Sequence, residues 1–365
     1  MNIVWFTWKD IMHPEAGGAE KISSEMAKRL AKDGHHVTVL TSRFPGSKHE
    51  EDFSGYKIIR VGNRFTVYIL AGWYFIKHLR TSTDLIIEEI NTIPFMTQWY
   101  SKCKRSLVIY QLCREIWFYQ LVFPLSLIGY LIEPAYLWLL RNNKVLTESE
   151  STKKDLQKYG FNKANISIFP ISIDIKPLKS IDDKKTYKRF TVLSFGAIRS
   201  MKRTLDQVKA FEISKKQIPE LQMKIAGQAI GSYGERVLRH IRRSRYKDDI
   251  EYLGKVTKEQ KIELMRKSHV ILVTSVKEGW GLIVTEAASQ GTPAIVYDVD
   301  GLRDAQGSEM LITHSQNPNA VSDLIYKLHN NQPIYNRLSI KALHSSAMFY
   351  ENTNDKDLLR IIVRK

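Results

Sequence analysis

Apolar and polar positions follow two periods along this chain, and the switches between them lay out its elements. Residues 2–7, Asn2-Ile3-Val4-Trp5-Phe6-Thr7, are a short apolar run of strand composition. A polar segment containing Pro14 follows. Gly17-Gly18-Ala19-Glu20 then opens a stretch in which Ile22, Met26, Leu30 and Ala31 recur at helical spacing, up to Asp33. Gly34 stops that helix, and residues 37–41 form a second apolar run. Strand, glycine loop, helix and strand make a Rossmann-like start. The pattern predicts further strands at 56–61, 85–88, 107–110, 143–148 and 166–170, with helices at 67–80 and 151–159. The alternation begins again at 190–195 and continues through strands at 221–226, 250–253, 269–275 and 294–297, with helices dominating after about 320. Between the two halves, residues 173–187 are polar, charged and turn-rich, as a linker between domains would be.

The most apolar stretch is 121–140. A membrane-spanning helix needs about 20 consecutive apolar residues. Pro124, Glu133 and Pro134 interrupt this one, so a core helix followed by a second is expected instead of a span. Trp117, Phe118, Tyr119 and Phe123 form an aromatic cluster beside it. Two readings stand for that cluster, core packing or a partly exposed face that touches a membrane surface.

The densest chemistry lies at 278–293, EGWGLIVTEAASQGTP, between two apolar runs. Strand, loop, short helix and strand make a βαβ unit and hence a parallel sheet. Gly279 and Gly281 let the backbone approach a ligand, and the helix that starts near Gly281 aims free N–H groups at the same place, which suits a phosphate. Glu278 stands at the mouth of the loop. Glu286 sits among Ile283, Val284, Ala287 and Ala288, where a carboxylate needs hydrogen-bond partners; ligand hydroxyls would serve. In the second half, Gly196 is followed by Arg199 and Lys202 in a basic turn between strand and helix, a place where a diphosphate is gripped.

The spacing of Glu278 and Glu286 around the glycine loop resembles the Glu-x7-Glu signature of the retaining GT-B glycosyltransferases (group 1, family 4), which include sucrose, glycogen and lipid mannosyl transferases. The resemblance implies an α/β chain of two Rossmann-like, doubly wound domains facing a central cleft. They would be an acceptor-side domain at 1–172 and a donor domain at 188–345, with the tail 346–365 packing back on the first. It implies catalytic roles for Glu278, Lys202 and Arg199, although Ala197 stands where the family has an arginine and Arg199 is expected to substitute. Donor contacts would come from Gly17 and Gly18 in the first half. In the second they would come from Gly279, Trp280, Gly281, Leu282 and Ile283, from Glu286 on the ribose, and from Gly254 and Val256 beside the base. Many members carry a histidine at the end of the 107–110 strand, where this chain has Tyr110. Tyr110, Gln111 and Arg114 are therefore the acceptor-side candidates.

Composition narrows the remaining classes. A chain of 365 residues suits two domains, and 43% hydrophobic with 25% charged residues is ordinary for a globular protein. Two cysteines, Cys103 and Cys113, form no disulfide framework, which points to a reducing cytoplasm. The N-terminal residues show no basic leader or cleavage site, so no signal peptide is expected. The net charge of +17 is compatible with a generally basic surface, an anionic membrane surface or nucleic acid. No zinc spacing, RNA-binding signature or helix-turn-helix supports the last. The positive groups named above can neutralise a leaving diphosphate, so no metal and no cofactor are expected. The partners would be a nucleotide sugar and an acceptor glycan, lipid-linked sugar or other small molecule, with peripheral anionic membrane contact as an option. The expected activity is hexosyl transfer from a nucleotide sugar with retention. The alternatives are a GT-B epimerase or phosphorylase, or a non-catalytic basic membrane- or RNA-binding protein on the same scaffold.

Overall fold

Trp5 and Phe6 lie fully buried at the centre of a parallel sheet, as a continuous apolar run at the start of a βαβ unit requires. The computed structural model describes residues 1–305, 310–351 and 361–362. They form two units, one of residues 1–170 with 361–362 and one of residues 171–351. The sequence resemblance to two doubly wound domains of a GT-B fold is met by two predominantly parallel sheets.

The first unit contains strands β1 (Asn2–Phe6), β2 (His36–Thr41), β3 (Glu50–Phe53), β4 (Tyr56–Arg60), β5 (Leu85–Glu89), β6 (Lys104–Val108), β7 (Lys144–Thr147) and β8 (Ile166–Ile168). Their order is β3-β4-β2-β1-β5-β6-β7-β8, and only β3 runs antiparallel. Its helices are α1 (Gly18–Lys32), α2 (Val67–Tyr74), α3 (Trp117–Gln120), α4 (Leu125–Leu140) and α5 (Glu150–Lys158). The second unit contains β9 (Thr191–Phe195), β10 (Gln222–Ala226), β11 (Ile250–Gly254), β12 (Val270–Val273), β13 (Ala294–Val296) and β14 (Met310–Ile312). They are ordered β11-β10-β9-β12-β13-β14 and are all parallel. Around them lie α6 (Thr204–Lys215), α7 (Gly231–Arg243), α8 (Lys258–Lys267), α9 (Leu282–Ala288), α10 (Asp300–Asp304), α11 (Pro318–His329) and α12 (Gln332–Glu351).

Four expectations change. Residues 121–140 do not break into two helices at Pro134, because α4 runs through it without interruption. Pro134 leaves the Tyr130 carbonyl without its helical donor, and Arg114 Nη1 donates to that oxygen instead at 3.1 Å. Glu133 is no interruption either. Its buried carboxylate accepts from the N–H groups of Cys113 and Arg114, both at 2.7 Å, and from Trp117 Nε1 at 3.0 Å. That bond and burial to 4% exposure remove Trp117 from the exposed aromatic face, while Phe118, Tyr119 and Phe123 stay exposed. Residues 173–187 are not a free linker but part of the second unit. Ile175 is buried in its core, Leu178 N donates to Ser289 O at 2.9 Å, and the Lys184 ammonium is ringed by the Arg266, Ser268 and Gln290 carbonyls. Finally, the chain does not leave the second unit at 346, because α12 continues to Glu351 and Ile173 N donates to Phe349 O at 3.2 Å. Further on, Ser106 Oγ donates to Ile362 O at 2.8 Å, so described tail residues do lie on the first unit. The remainder of the tail lies outside the described residues.

Candidate functional site

In the second unit the strand order reverses direction between β9 and β12, so their following connections diverge and open a crevice at the carboxyl edge. The two loops that flank this point are 196–203 and 274–281. They are tied together below the crevice. Val276 N donates to Met201 O at 2.9 Å, and Thr274 Oγ1 reaches the carbonyls of Lys202 and Arg203 at 3.0 and 3.1 Å. Gln207 Nε2 donates to the same Thr274 oxygen at 2.9 Å.

Glu278 and Lys202, seventy-six positions apart in sequence, meet here as an ion pair on Oε1. Ser275 Oγ donates to that same oxygen at 2.5 Å. Burial pushes the Glu278 carboxyl up, but Lys202, Ser275 and the more distant Arg199 outweigh it and hold the group below its ordinary value. It is therefore an anion at neutral pH. Arg199 is exposed and acts on Glu278 through its charge.

The loop from Glu278 to Gly281 is shaped by close backbone packing. Gly281 has φ +85°, a conformation that favours glycine, and a Cβ there would also meet Leu302. Gly301, at the start of α10, presses on the loop from outside: a Cβ on it would lie 1.9 Å from Glu278 O and 2.8 Å from Gly279 O. Trp280 turns away from the loop, donating from Nε1 to Thr285 Oγ1 at 3.0 Å with its ring centre 5.6 Å from that of Phe349. Leu282 and Ile283 form the first turn of α9, where N–H groups lack intrahelical acceptors.

Glu286 is 6% exposed, on the inner side of α9. Its partner was expected to be a ligand, yet the protein supplies one: Lys261 Nζ of α8 lies 2.5 Å from Oε2. The same ammonium stands 5.3 Å from the Phe195 ring centre at the end of β9. Gly254 ends β11 with φ +63°, and its carbonyl accepts from Gly227 N at 2.7 Å, while Val256 packs into the core beneath. The second unit thus brings Glu278, Lys202 and Ser275 together directly, with Glu286 and Lys261 as a second pair on the adjoining helices. Sequence reasoning missed Ser275 and Lys261. Ser275, three positions before Glu278, was the one with a readable signal.

Two family models divide the chain. Glycosyltransferase family 4 matches residues 16–176 and glycosyl transferases group 1 matches residues 178–344. The chain belongs to the group 1 glycosyltransferases. Poly(glycerol-phosphate) alpha-glucosyltransferase of Bacillus subtilis is 30% identical to this transferase over 148 residues, which are 40% of this chain but only 20% of that protein. Among solved structures, sucrose-phosphate synthase of Thermosynechococcus elongatus superposes with a TM-score of 0.77 at 17% identity, covering 99% of this chain and 98% of the other. Anabaena HepE, solved in complex with UDP-glucose, gives a TM-score of 0.71 at 12% identity over 99% and 98%. At these identities the structural likeness establishes the shared GT-B fold.

The first-unit candidates of the transferase are placed differently from one another. Gly17 and Gly18 are exposed at the start of α1, where Gly17 N donates to Glu20 Oε2 at 2.6 Å and Lys9 Nζ lies 3.4 Å from Glu20 Oε1. Tyr110 is buried. Its hydroxyl sits 2.6 Å from Ser23 Oγ, which in turn donates to the buried Glu89 at 2.5 Å. Burial, then the neighbouring Glu20, raises the Glu89 carboxyl to about 7. Arg114, with φ +39°, is fixed against the Tyr130 ring at 4.0 Å, and Gln111 Oε1 is buried with no protein partner among the described residues. Among the described residues no group of three or more His, Cys, Asp or Glu is arranged to hold a metal ion.

Proposed function

We propose that this glycosyltransferase moves a hexose from a nucleotide-sugar donor to an acceptor, with retention of anomeric configuration and without a metal ion. The convergence of Lys202 and Ser275 on one oxygen of Glu278, at the crevice of the second unit, carries the reading. Both contacts fall on Oε1, so Oε2 faces the demands of a sugar. A carboxylate held ionised there positions hydroxyls and stabilises positive charge as the bond to the anomeric carbon breaks. Lys202 and Arg199 supply cationic charge for the departing diphosphate, with the first-turn N–H groups of Leu282 and Ile283 as further donors. In this account attack comes from the face the diphosphate leaves, and no covalent glycosyl-enzyme forms on Glu278.

Glu286 receives the ribose hydroxyls in this account, with Lys261 orienting its carboxylate. The likeness to a neighbour solved with UDP-glucose supports a nucleotide-sugar donor. The test is to incubate the protein with a panel of uridine, guanosine and adenosine diphosphate sugars. Slow release of free sugar in the donor's anomeric form, read by proton NMR before mutarotation, supports the proposal. Epimerised donor, or the opposite anomer, overturns it.

A further inference from the structure

Among the described residues, the first unit carries an apolar surface with no partner that the transfer chemistry does not use. In α4 the residues turned to the sheet are Ser126, Glu133, Tyr136, Leu137 and Leu140. Most of the rest of the helix is exposed, and its sequence, LSLIGYLIEPAYLWLL, contains no charged residue except the buried Glu133. A helix lying on a core in water carries polar residues on its outer face. Here Leu131 is 63% and Trp138 56% exposed, and the preceding turn adds Phe123 at 77%.

A second helix repeats the anomaly. Ile69 and Trp73, one turn apart on α2, are 76% and 56% exposed. Both helices lie on the same face of the sheet. Ile86, which packs with Val67 and Ala71 of α2, pairs in register with Arg105, while Leu107 two residues on pairs with Val145 and packs with Tyr136 and Leu137 of α4. The helices also converge at one residue, since Tyr68 OH lies 3.2 Å from Thr92 Oγ1 and Tyr136 OH donates to Thr92 O at 2.6 Å. Their outer faces therefore point to one side of the unit.

The charges around this surface are of one sign. No Asp or Glu occurs from Ser54 to Thr83, and between Ile90 and Thr147 the only acids are Glu115 and the buried Glu133. The cations stand on the aromatics themselves. Lys77 Nζ lies 4.9 Å from the Trp73 ring centre, Arg141 Cζ 3.8 Å from that of Trp138, and Arg64 Cζ 5.1 Å from that of Phe65. Aromatic rings with cations beside them, around an uncharged apolar helix face, suit the boundary between headgroups and acyl chains. A second copy of the chain would instead set one cationic rim against another.

We propose that the outer faces of α2 and α4 dock this protein on an anionic phospholipid surface, with the helices lying in the plane of the interface. For the transfer reaction this makes the acceptor a lipid-borne one, a clause that rests on the functional reading above. The docking itself does not, and it is measured without any donor.

The experiment is co-sedimentation of the full chain with phosphatidylcholine vesicles, with and without phosphatidylglycerol. Binding is expected only with phosphatidylglycerol, weakening with salt as exposed charges are screened beyond about 10 Å at 0.1 M. Ile69→Ser with Trp73→Ser, and separately Phe123→Ser with Leu131→Ser, are expected to weaken binding by about tenfold or more each. Because these side chains are exposed, the circular dichroism spectrum and melting point stay those of the wild type. Protein that stays in the supernatant with anionic vesicles at low salt overturns the proposal. So does equal binding to uncharged vesicles. Dimerisation in analytical ultracentrifugation that the same substitutions abolish, without vesicle binding, overturns it in favour of a second copy.

Discussion

The Glu286–Lys261 pair allows the structural and ligand-binding roles of one carboxylate to be separated. Both side chains are nearly buried, at 7% and 11% exposure, so neither charge is well solvated alone. Removing one partner of a buried pair costs about 3–5 kcal/mol, whereas replacing both by apolar groups of similar size is close to neutral. Residual solvent at this pair lowers the first figure to about 2–4 kcal/mol for Lys261→Met. In a unit of this size that is a fall of roughly 5–15 °C in melting temperature. Lys261→Met combined with Glu286→Leu is expected to recover to within about 1 kcal/mol of wild type. Nucleotide affinity follows a different rule. On the proposed ribose contact, any variant lacking the Glu286 carboxylate is expected to lose a charged hydrogen bond, about 1–3 kcal/mol, or roughly 5- to 150-fold in Kd. Urea unfolding and calorimetric titration with nucleoside diphosphates read the two quantities on the same proteins. The reasoning fails if Lys261→Met is as stable as wild type. It fails equally if the stable double variant binds nucleotide with wild-type affinity.

Three further outcomes are expected. Lys202→Ala with Arg199→Ala lowers turnover more than donor affinity, by about 100-fold against less than tenfold, because charge on the diphosphate grows as the bond breaks; steady-state kinetics with the preferred donor check the split. Gly301→Ala drives a methyl group into the Glu278 carbonyl, so the loop shifts. We expect about 1–3 kcal/mol of destabilisation in urea melts and at least about a tenfold fall in turnover from the displaced carboxylate. His269 has its pKa lowered to about 4, first by burial and then by Lys184 and His329, and its Nδ1 accepts from Thr191 N at 3.1 Å. The folded form thus binds fewer protons than the unfolded one between pH 6.5 and 4, so stability falls as pH drops through that window, by roughly 2–3 kcal/mol. His269→Gln, which retains an acceptor, removes that part of the slope in pH-dependent urea melts.

What could be read from the sequence follows from how local its cause is. The unit from β12 through α9 to β13 was legible because both strands are buried on two faces and so are continuously apolar, with glycines at the turn. Glu278 and Lys202 were named as site residues from their places after two strands, and the reversal of strand order between those strands explains why they meet. Strand β3, EEDF, was missed because an edge strand needs no apolar pattern; its pairing depends on a tight turn at Ser54 and Gly55, both with positive φ. Lys261 was invisible because its meaning lies in a partner twenty-five positions away on another helix. Trp117 was grouped with Phe118 in one cluster, core or exposed as a whole, yet Glu133 draws its indole inward and leaves Phe118 outside. Pro134 signals a break locally, and the Arg114 side chain that satisfies the carbonyl it leaves without a helical donor comes from twenty positions earlier in the chain.

The central claim is that Glu278, held as a carboxylate by Lys202 and Ser275, is the group around which a nucleotide sugar reacts. Glu278→Gln tests it most directly, since the amide keeps the shape of the side chain and removes its charge. The measurement is the rate of sugar release or transfer from the best nucleotide sugar of the panel, at donor concentrations that saturate each protein. The account predicts a fall of about 100-fold or more, with nucleoside diphosphate affinity within about threefold of wild type. A variant that turns over at the wild-type rate would contradict it.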